Sequence, residues 1–222
     1  MGLIDIPVPR SHPAHGIYRP QAQFVLGNED SARELYTENA DQLMTVHRKL
    51  SVPYLLWVLQ LTIDQRDEQQ QETLAKALLA WVEESDNAFT AEQRVRLEIA
   101  YGDIALQRGL LPEAQQIYTR TANNQAYQQV FARHTATLRR VRVQRMSGDF
   151  DGALTTLMQL DAEKVPRLTT AAHYARAEVY YAMEEYVDAA EQVAQLLERD
   201  PNHPDATILR GRIQLKRQKL IE

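Results

Sequence analysis

Apolar residues along this chain recur mostly at helical spacing, and strand-like alternation is scarce. Leu35, Leu43, Val46 and Leu50 form one approximate stripe, and Leu74, Leu78, Leu79 and Val82 form another. Val52 to Ile63 is the most apolar stretch, broken only by Gln60 and Thr62. Its twelve residues are too short to cross a bilayer and predict a buried helix. Polar punctuation separates the stripes. Ser31 and Glu34, and again Thr90 and Gln93, have the spacing of a capping box that satisfies free N–H groups at a helix start. Ser51 followed by Pro53 predicts a fresh start, because proline is tolerated in a first helical turn. The polar run Asp64 to Gln71 predicts a connection.

From about residue 91 the pattern repeats. Ala114, Ala153 and Ala189 fall in register, 39 and 36 residues apart. The first copy carries Tyr101, Gly102, Ala105, Ala114 and Tyr118. The second carries Val141, Gly148, Asp149, Phe150, Ala153 and Leu157. The third carries Ala177, Tyr180, Tyr186, Ala189, Val193 and Pro201. Small residues at Gly102, Ala114, Ala153, Ala177 and Ala189 let paired helices approach closely, and the aromatic residues fill the grooves between them. A helical hairpin of this size buries one face alone, so neighbouring hairpins stack to complete a core. A last helix, Asp205 to about Leu220, has Ile208, Ile213 and Leu215 on one side, many basic residues elsewhere, and the character of a terminal cap.

At these residues the chain resembles the tetratricopeptide repeat family over about 91–220. The Gly148-Asp149-Phe150 turn and the Asp200-Pro201-Asn202 exit are similar to its turns. The resemblance implies an all-α, right-handed α-solenoid of stacked helical hairpins, about ten helices in total. The expected organisation is an extended proline-rich arm (1–28), a helical section continuous with the solenoid (29–90), three repeats (91–203) and a capping helix (204–222). Four of nine prolines fall in the arm, at Pro7, Pro9, Pro13 and Pro20. The sequence departs from the family where a tryptophan and a leucine are expected in the first helix of each hairpin. Those positions hold Glu98 and Tyr101, then Thr137 and Arg140, then His173 and Arg176. The first two copies also lack the terminal proline in register.

In the family, the first helices line a concave groove that receives peptides. Carried over, the groove positions are Arg96, Ile99, Asp103 and Gln107 in the first copy and Leu138, Arg142 and Arg145 in the second. Tyr174, Glu178 and Tyr181 follow in the third, with Ile208 and Arg212 on the last helix. Aromatic and arginine anchors are residue types that often carry binding energy. The lysine and asparagine with which a subset of the family holds C-terminal carboxylates are replaced by Ile99 and Asp103, then Leu138 and Arg142, so that clamp is absent. A solvated face with no partner is the bland alternative.

Composition narrows the chemistry. The chain has 222 residues, no cysteine and a formal net charge of −5. Disulfides and cysteine-based sites are excluded, and a basic excess for nucleic acid is missing. Arg139, Arg140, Arg142 and Arg145, with Arg133 nearby, form a basic stretch, but Val141 and Val143 stand where stacking aromatics for single strands would. His12 and His15 have no carboxylate close by in sequence, and Asp149-Phe-Asp151-Gly152 lacks the later ligands of a calcium loop. Glu83-Glu84 and Glu184-Glu185 are adjacent, so on a helix they point in different directions. No glycine-rich phosphate loop, zinc helix or serine elbow is present. The expected catalytic, metal and cofactor residues are therefore none.

These patterns point to a non-enzymatic protein–protein interaction scaffold that binds a partner protein or peptide, as a module of a larger assembly. Alternatives are a homo-oligomer with exchanged N-terminal arms, a regulatory module of a separate catalytic domain, and nucleic-acid binding through the 139–145 helix. No segment for membrane insertion is read in this chain. Its compartment stays open between the cytoplasm and, if a signal segment was removed, the periplasm.

Overall fold

A computed structural model describes residues 14–36, 50–66, 68–84 and 89–219. Every regular element among them is helical. The chain divides into two compact units, 1–100 and 101–222, and the division falls inside a helix.

The N-terminal unit contains α1 (Ala14–Val25), α2 (described over residues 29–36), α3 (Val52–Gln65), α4 (Glu68–Glu84) and the start of α5 (Ala91–Gln107). Helix α1 corrects the expected extended arm over residues 14–25, and residues 1–13 lie outside the described chain. Pro20 sits inside α1 at the cost of a helical hydrogen bond. Tertiary contacts offset that cost. Phe24 packs on Tyr54 and Trp57 at ring separations of 5.7 and 5.2 Å, and Gln21 Oε1 accepts the Ser51 N–H at 2.8 Å. Helix α2 begins at residue 29, so Ser31 lies within its first turn and does not cap it. Leu43 and Val46 of the first expected stripe lie outside the described residues.

Helix α3 is buried as its apolar run predicts, with Tyr54, Leu55, Val58 and Leu59 fully enclosed. The polar run Asp64 to Gln71 is mostly helix, not a connection: α3 continues to Gln65 and α4 begins at Glu68. Glutamine and glutamate are good helix formers. Arg66 turns the chain in the left-handed region (φ 58°). Gln71 is buried and donates to the Thr62 carbonyl at 2.8 Å. At the start of α5 the Thr90/Gln93 capping box closes as predicted. Gln93 Oε1 accepts the Thr90 N–H at 2.9 Å, and Thr90 Oγ1 accepts the Gln93 N–H at 3.2 Å.

The C-terminal unit holds the rest of α5, then α6 (Leu111–Asn123), α7 (Arg133–Met146), α8 (Phe150–Ala162), α9 (Thr169–Ala182), α10 (Tyr186–Arg199) and α11 (Pro204–Lys219). Short 3-10 turns at Gln125–Tyr127 and Pro166–Leu168 lie in the connections before α7 and α9. The longer first connection, 124–132, accounts for the 39-residue spacing between the first two copies. Helices α7 and α8, then α9 and α10, pair as hairpins, and α11 packs on α10 and α9.

The aligned small residues sit where the pattern requires. Ala114, Ala153, Ala177 and Ala189 are fully buried. The connections from α5 to α6, α7 to α8 and α9 to α10 turn in the same way. Gly109 (φ 74°), Gly148 (φ 80°) and Glu184 (φ 65°) occupy equivalent left-handed positions. The next residue in each donates its N–H five residues back: Leu110 to Ala105 (3.0 Å), Asp149 to Gln144 (2.8 Å) and Glu185 to Tyr180 (2.9 Å). This helix-end motif satisfies carbonyls that the helix leaves free. Asp149 then caps α8, its carboxylate accepting the Gly152 N–H at 3.1 Å, which gives this acidic turn a structural role.

The departures from the family pattern have a structural counterpart. Arg140 donates to Thr156 Oγ1 at 2.8 Å, and Arg176 donates to Gln192 Oε1 at 3.3 Å. Both pairs join the first helix of a hairpin to the second, sixteen residues on. A polar bridge thus replaces the expected leucine contact in two successive hairpins. Arg176 also pairs with Asp161, whereas Arg140 has no carboxylate partner among the described residues.

Candidate functional site

The candidate site is a cleft built from three helices of the C-terminal unit. On α7, Leu138, Arg142 and Arg145 are spaced by four and three residues and share one face. Tyr174, Glu178 and Tyr181 repeat the spacing on α9, and Ile208 and Arg212 begin it on α11. Two adjoining cavities follow these faces. One, of about 580 Å³, is lined by Leu138, Arg142 and Arg145 and by Tyr174 and Glu178. The other, of about 310 Å³, shares Arg145, Tyr174, Glu178 and Asp205 with the first and adds Tyr181, Ile208 and Arg212. The structure therefore brings eight of the twelve expected groove positions to one continuous cleft.

The other four do not line either cavity. Arg96 is exposed in the N-terminal unit and paired with Glu92 at 3.0 Å along its own helix. Ile99 is buried in that unit, 8% exposed, so the expectation that it faces an open groove is corrected. Gln107 is exposed near the end of α5. Asp103 is already engaged: it accepts the Tyr118 hydroxyl at 2.6 Å and pairs with Arg139 at 3.0 Å.

Charge is unevenly compensated along the cleft. Arg145 pairs with Glu178 at 3.4 Å, and Arg139 is held by Asp103. Arg142 and Arg212 are exposed and form no ion pair among the described residues. Burial raises the Tyr174 hydroxyl above its ordinary pKa, reinforced by Glu178 and Asp205 and opposed by Arg145 and Arg212. Tyr118, fully buried behind the cleft, is raised first by burial and then by Asp103. Both phenols remain protonated at neutral pH. The lining thus offers guanidinium charge, ring surface and hydroxyl donors.

Two contributors lie outside the expected groove set. Arg139 lines the larger cavity, and His203 stacks on Tyr174 with ring centroids 5.6 Å apart. His203 also accepts the Ala206 N–H at 3.3 Å, at the start of α11. Its position just before Pro204, at a predicted helix entry, was a usable signal. The basic stretch on α7 is divided: Arg139, Arg142 and Arg145 line the larger cavity, whereas Arg133 and Arg140 do not. Arg133 pairs with Glu163, Arg139 with Asp103 and Arg145 with Glu178, while Arg140 turns to Thr156. Among the described residues no group of three or more histidine and carboxylate side chains is placed to hold a metal ion, and no helix is long and apolar enough to cross a membrane. His12 lies outside the described residues.

No family model matches the sequence, and no curated protein matches it. Among solved structures, the chain is similar to a thermophilic TPR protein in Thermus thermophilus. The likeness has a TM-score of 0.57 at 19% identity, over 90% of this chain and 98% of that one. The fold is thus an all-α solenoid of tetratricopeptide type. The share covered exceeds residues 91–220, so the likeness includes part of the N-terminal unit, whose helices show no alignable repeat in sequence.

Proposed function

We propose that this chain is a non-enzymatic interaction scaffold that holds a segment of a partner protein in the cleft of α7, α9 and α11. The observation that carries this reading is the convergence of Arg142, Arg145, Tyr174 and Tyr181 on two adjoining cavities that share Arg145 and Tyr174. Tyrosine and arginine are the residue types that most often dominate interface energetics. The rigid stacking of hairpins behind them supports pre-organised binding, which lowers the ordering cost of association. Pairing of Arg133, Arg139 and Arg145 with carboxylates of this chain favours this reading over nucleic-acid binding, which needs free basic charge for phosphates.

The test is capture from native extract with the intact chain and with an Arg142→Glu/Tyr181→Ala variant whose fold is checked by circular dichroism. A partner held by the intact chain and lost by the folded variant supports the cleft. Equal capture by both removes it as the binding site.

A further inference from the structure

The charge arrangement of the cleft points to the chemistry of its occupant. Of the four guanidiniums along the lining, two are neutralised internally, Arg139 by Asp103 and Arg145 by Glu178. The remaining carboxylate, Asp205, lies in the first turn of α11. There the free N–H groups and the helix dipole favour a negative charge without any cation. Arg142 and Arg212 are left without a counter-charge, in a chain whose formal net charge is −5. They bracket Arg145, Tyr174, Glu178 and Asp205, the residues shared by the two cavities. Apolar surface lies beside each: Leu138 near the first, and Tyr181 with Ile208, 54% exposed, near the second.

We infer that the cleft receives an acidic segment of a partner protein, whose carboxylates meet Arg142 and Arg212 while its apolar side chains rest on Leu138, Tyr181 and Ile208. The inference depends on the reading of this cleft as a partner site. The planar guanidinium matches a carboxylate through two parallel hydrogen bonds, a geometry lysine does not offer. Evenly spaced phosphates of a nucleic acid would pass Glu178 and Asp205 at close range, whereas a peptide can place neutral residues opposite them.

The test uses the full chain and three fluorescent probes: a decapeptide alternating leucine and glutamate, the same peptide with glutamine for every glutamate, and a ten-nucleotide single strand. Binding is read by anisotropy at low and at moderate salt. The expected result is that the glutamate peptide binds about tenfold or more tightly than the glutamine peptide, and that added salt weakens it. The R142Q/R212Q variant, with an unchanged melting curve, loses that preference and leaves the glutamine peptide unaffected. Equal binding of the two peptides, undiminished binding by R142Q/R212Q, tighter binding of the single strand, or binding of no probe overturns the acidic occupant. The cleft reading fails separately, when capture from extract survives the Arg142→Glu/Tyr181→Ala change.

Discussion

Three glycines lie in helices of the C-terminal unit, and the same substitution at two of them, Gly102 and Gly211, should have opposite effects. Gly102 lies within α5, where a Cβ would fall 2.8 Å from Cζ and 2.9 Å from Cδ1 of Tyr118, and closer still to Cε1. Gly211 lies within α11, where a Cβ meets nothing within 4 Å. Alanine in a helix interior is favoured over glycine by about 1 kcal/mol, which is the whole effect expected at Gly211. At Gly102 that gain is opposed by the displacement of a fully buried ring tied to Asp103. Overpacking costs about 1–3 kcal/mol, and a hydrogen bond to a charged group contributes about 1.5–3 kcal/mol. The clash wins, so Gly102→Ala should destabilise by about 1–3 kcal/mol net. With a urea m-value of about 2 kcal/mol/M, the unfolding midpoint should fall by about 0.5–1.5 M for Gly102→Ala and rise by up to about 0.5 M for Gly211→Ala. Circular dichroism during urea unfolding measures both. A double-mutant cycle with Tyr118→Leu isolates the contact, because without the ring the added methyl should cease to be harmful. A stabilising Gly102→Ala, or a cycle with no coupling, would refute the packing argument.

Other consequences follow from the same geometry. Glu184 holds a left-handed conformation that its two counterparts give to glycine, so Glu184→Gly should stabilise by about 0.5–1 kcal/mol in urea unfolding. Arg140 is a half-buried cation whose Nε has no hydrogen-bond partner, so Arg140→Leu should be neutral or stabilising by up to about 1 kcal/mol. Arg176→Leu, which removes contacts to Gln192 and Asp161, should cost about 1–2 kcal/mol in the same assay. His134 is held below its ordinary pKa of 6.5 by burial and by Arg133, with Glu163 opposing. The unfolded chain therefore takes up this proton first. Its contribution to stability is complete above pH 6.5 and is lost as pH falls from there through the lower folded value. Unfolding of the parent and His134→Gln chains across that range should show the slope in the parent alone.

The repeat was legible because close helix approach demands small residues whatever their surroundings: Ala114, Ala153 and Ala189 announce the hairpins, and all are fully buried. Tyr118 was legible for the complementary reason, since a large ring opposite glycine fills what the glycine vacates. The polar bridges were not legible. Thr156 and Gln192 become partners of Arg140 and Arg176 only after each hairpin has folded, and no local periodicity records a contact sixteen residues apart. Helix α1 was hidden by Pro20, because contacts with Tyr54, Trp57 and Ser51 outweigh local propensity there. In the cleft, Leu138, Arg142 and Arg145, carried over from the family resemblance, fall on one face of α7 and line one cavity. Ile99, carried over from the same resemblance, is buried, because a position taken from a family pattern does not record what covers it in this chain.

The central claim, that a partner lies in the cleft of α7, α9 and α11, is tested most directly by site-specific photo-crosslinking. A benzophenone side chain replaces Tyr181 inside the cleft, or Val187, 67% exposed on α10 and outside the cleft lining. Both chains are irradiated with the captured partner. An adduct from position 181 and none from 187 is the predicted result; equal adducts from both, or one from 187 alone, would contradict it.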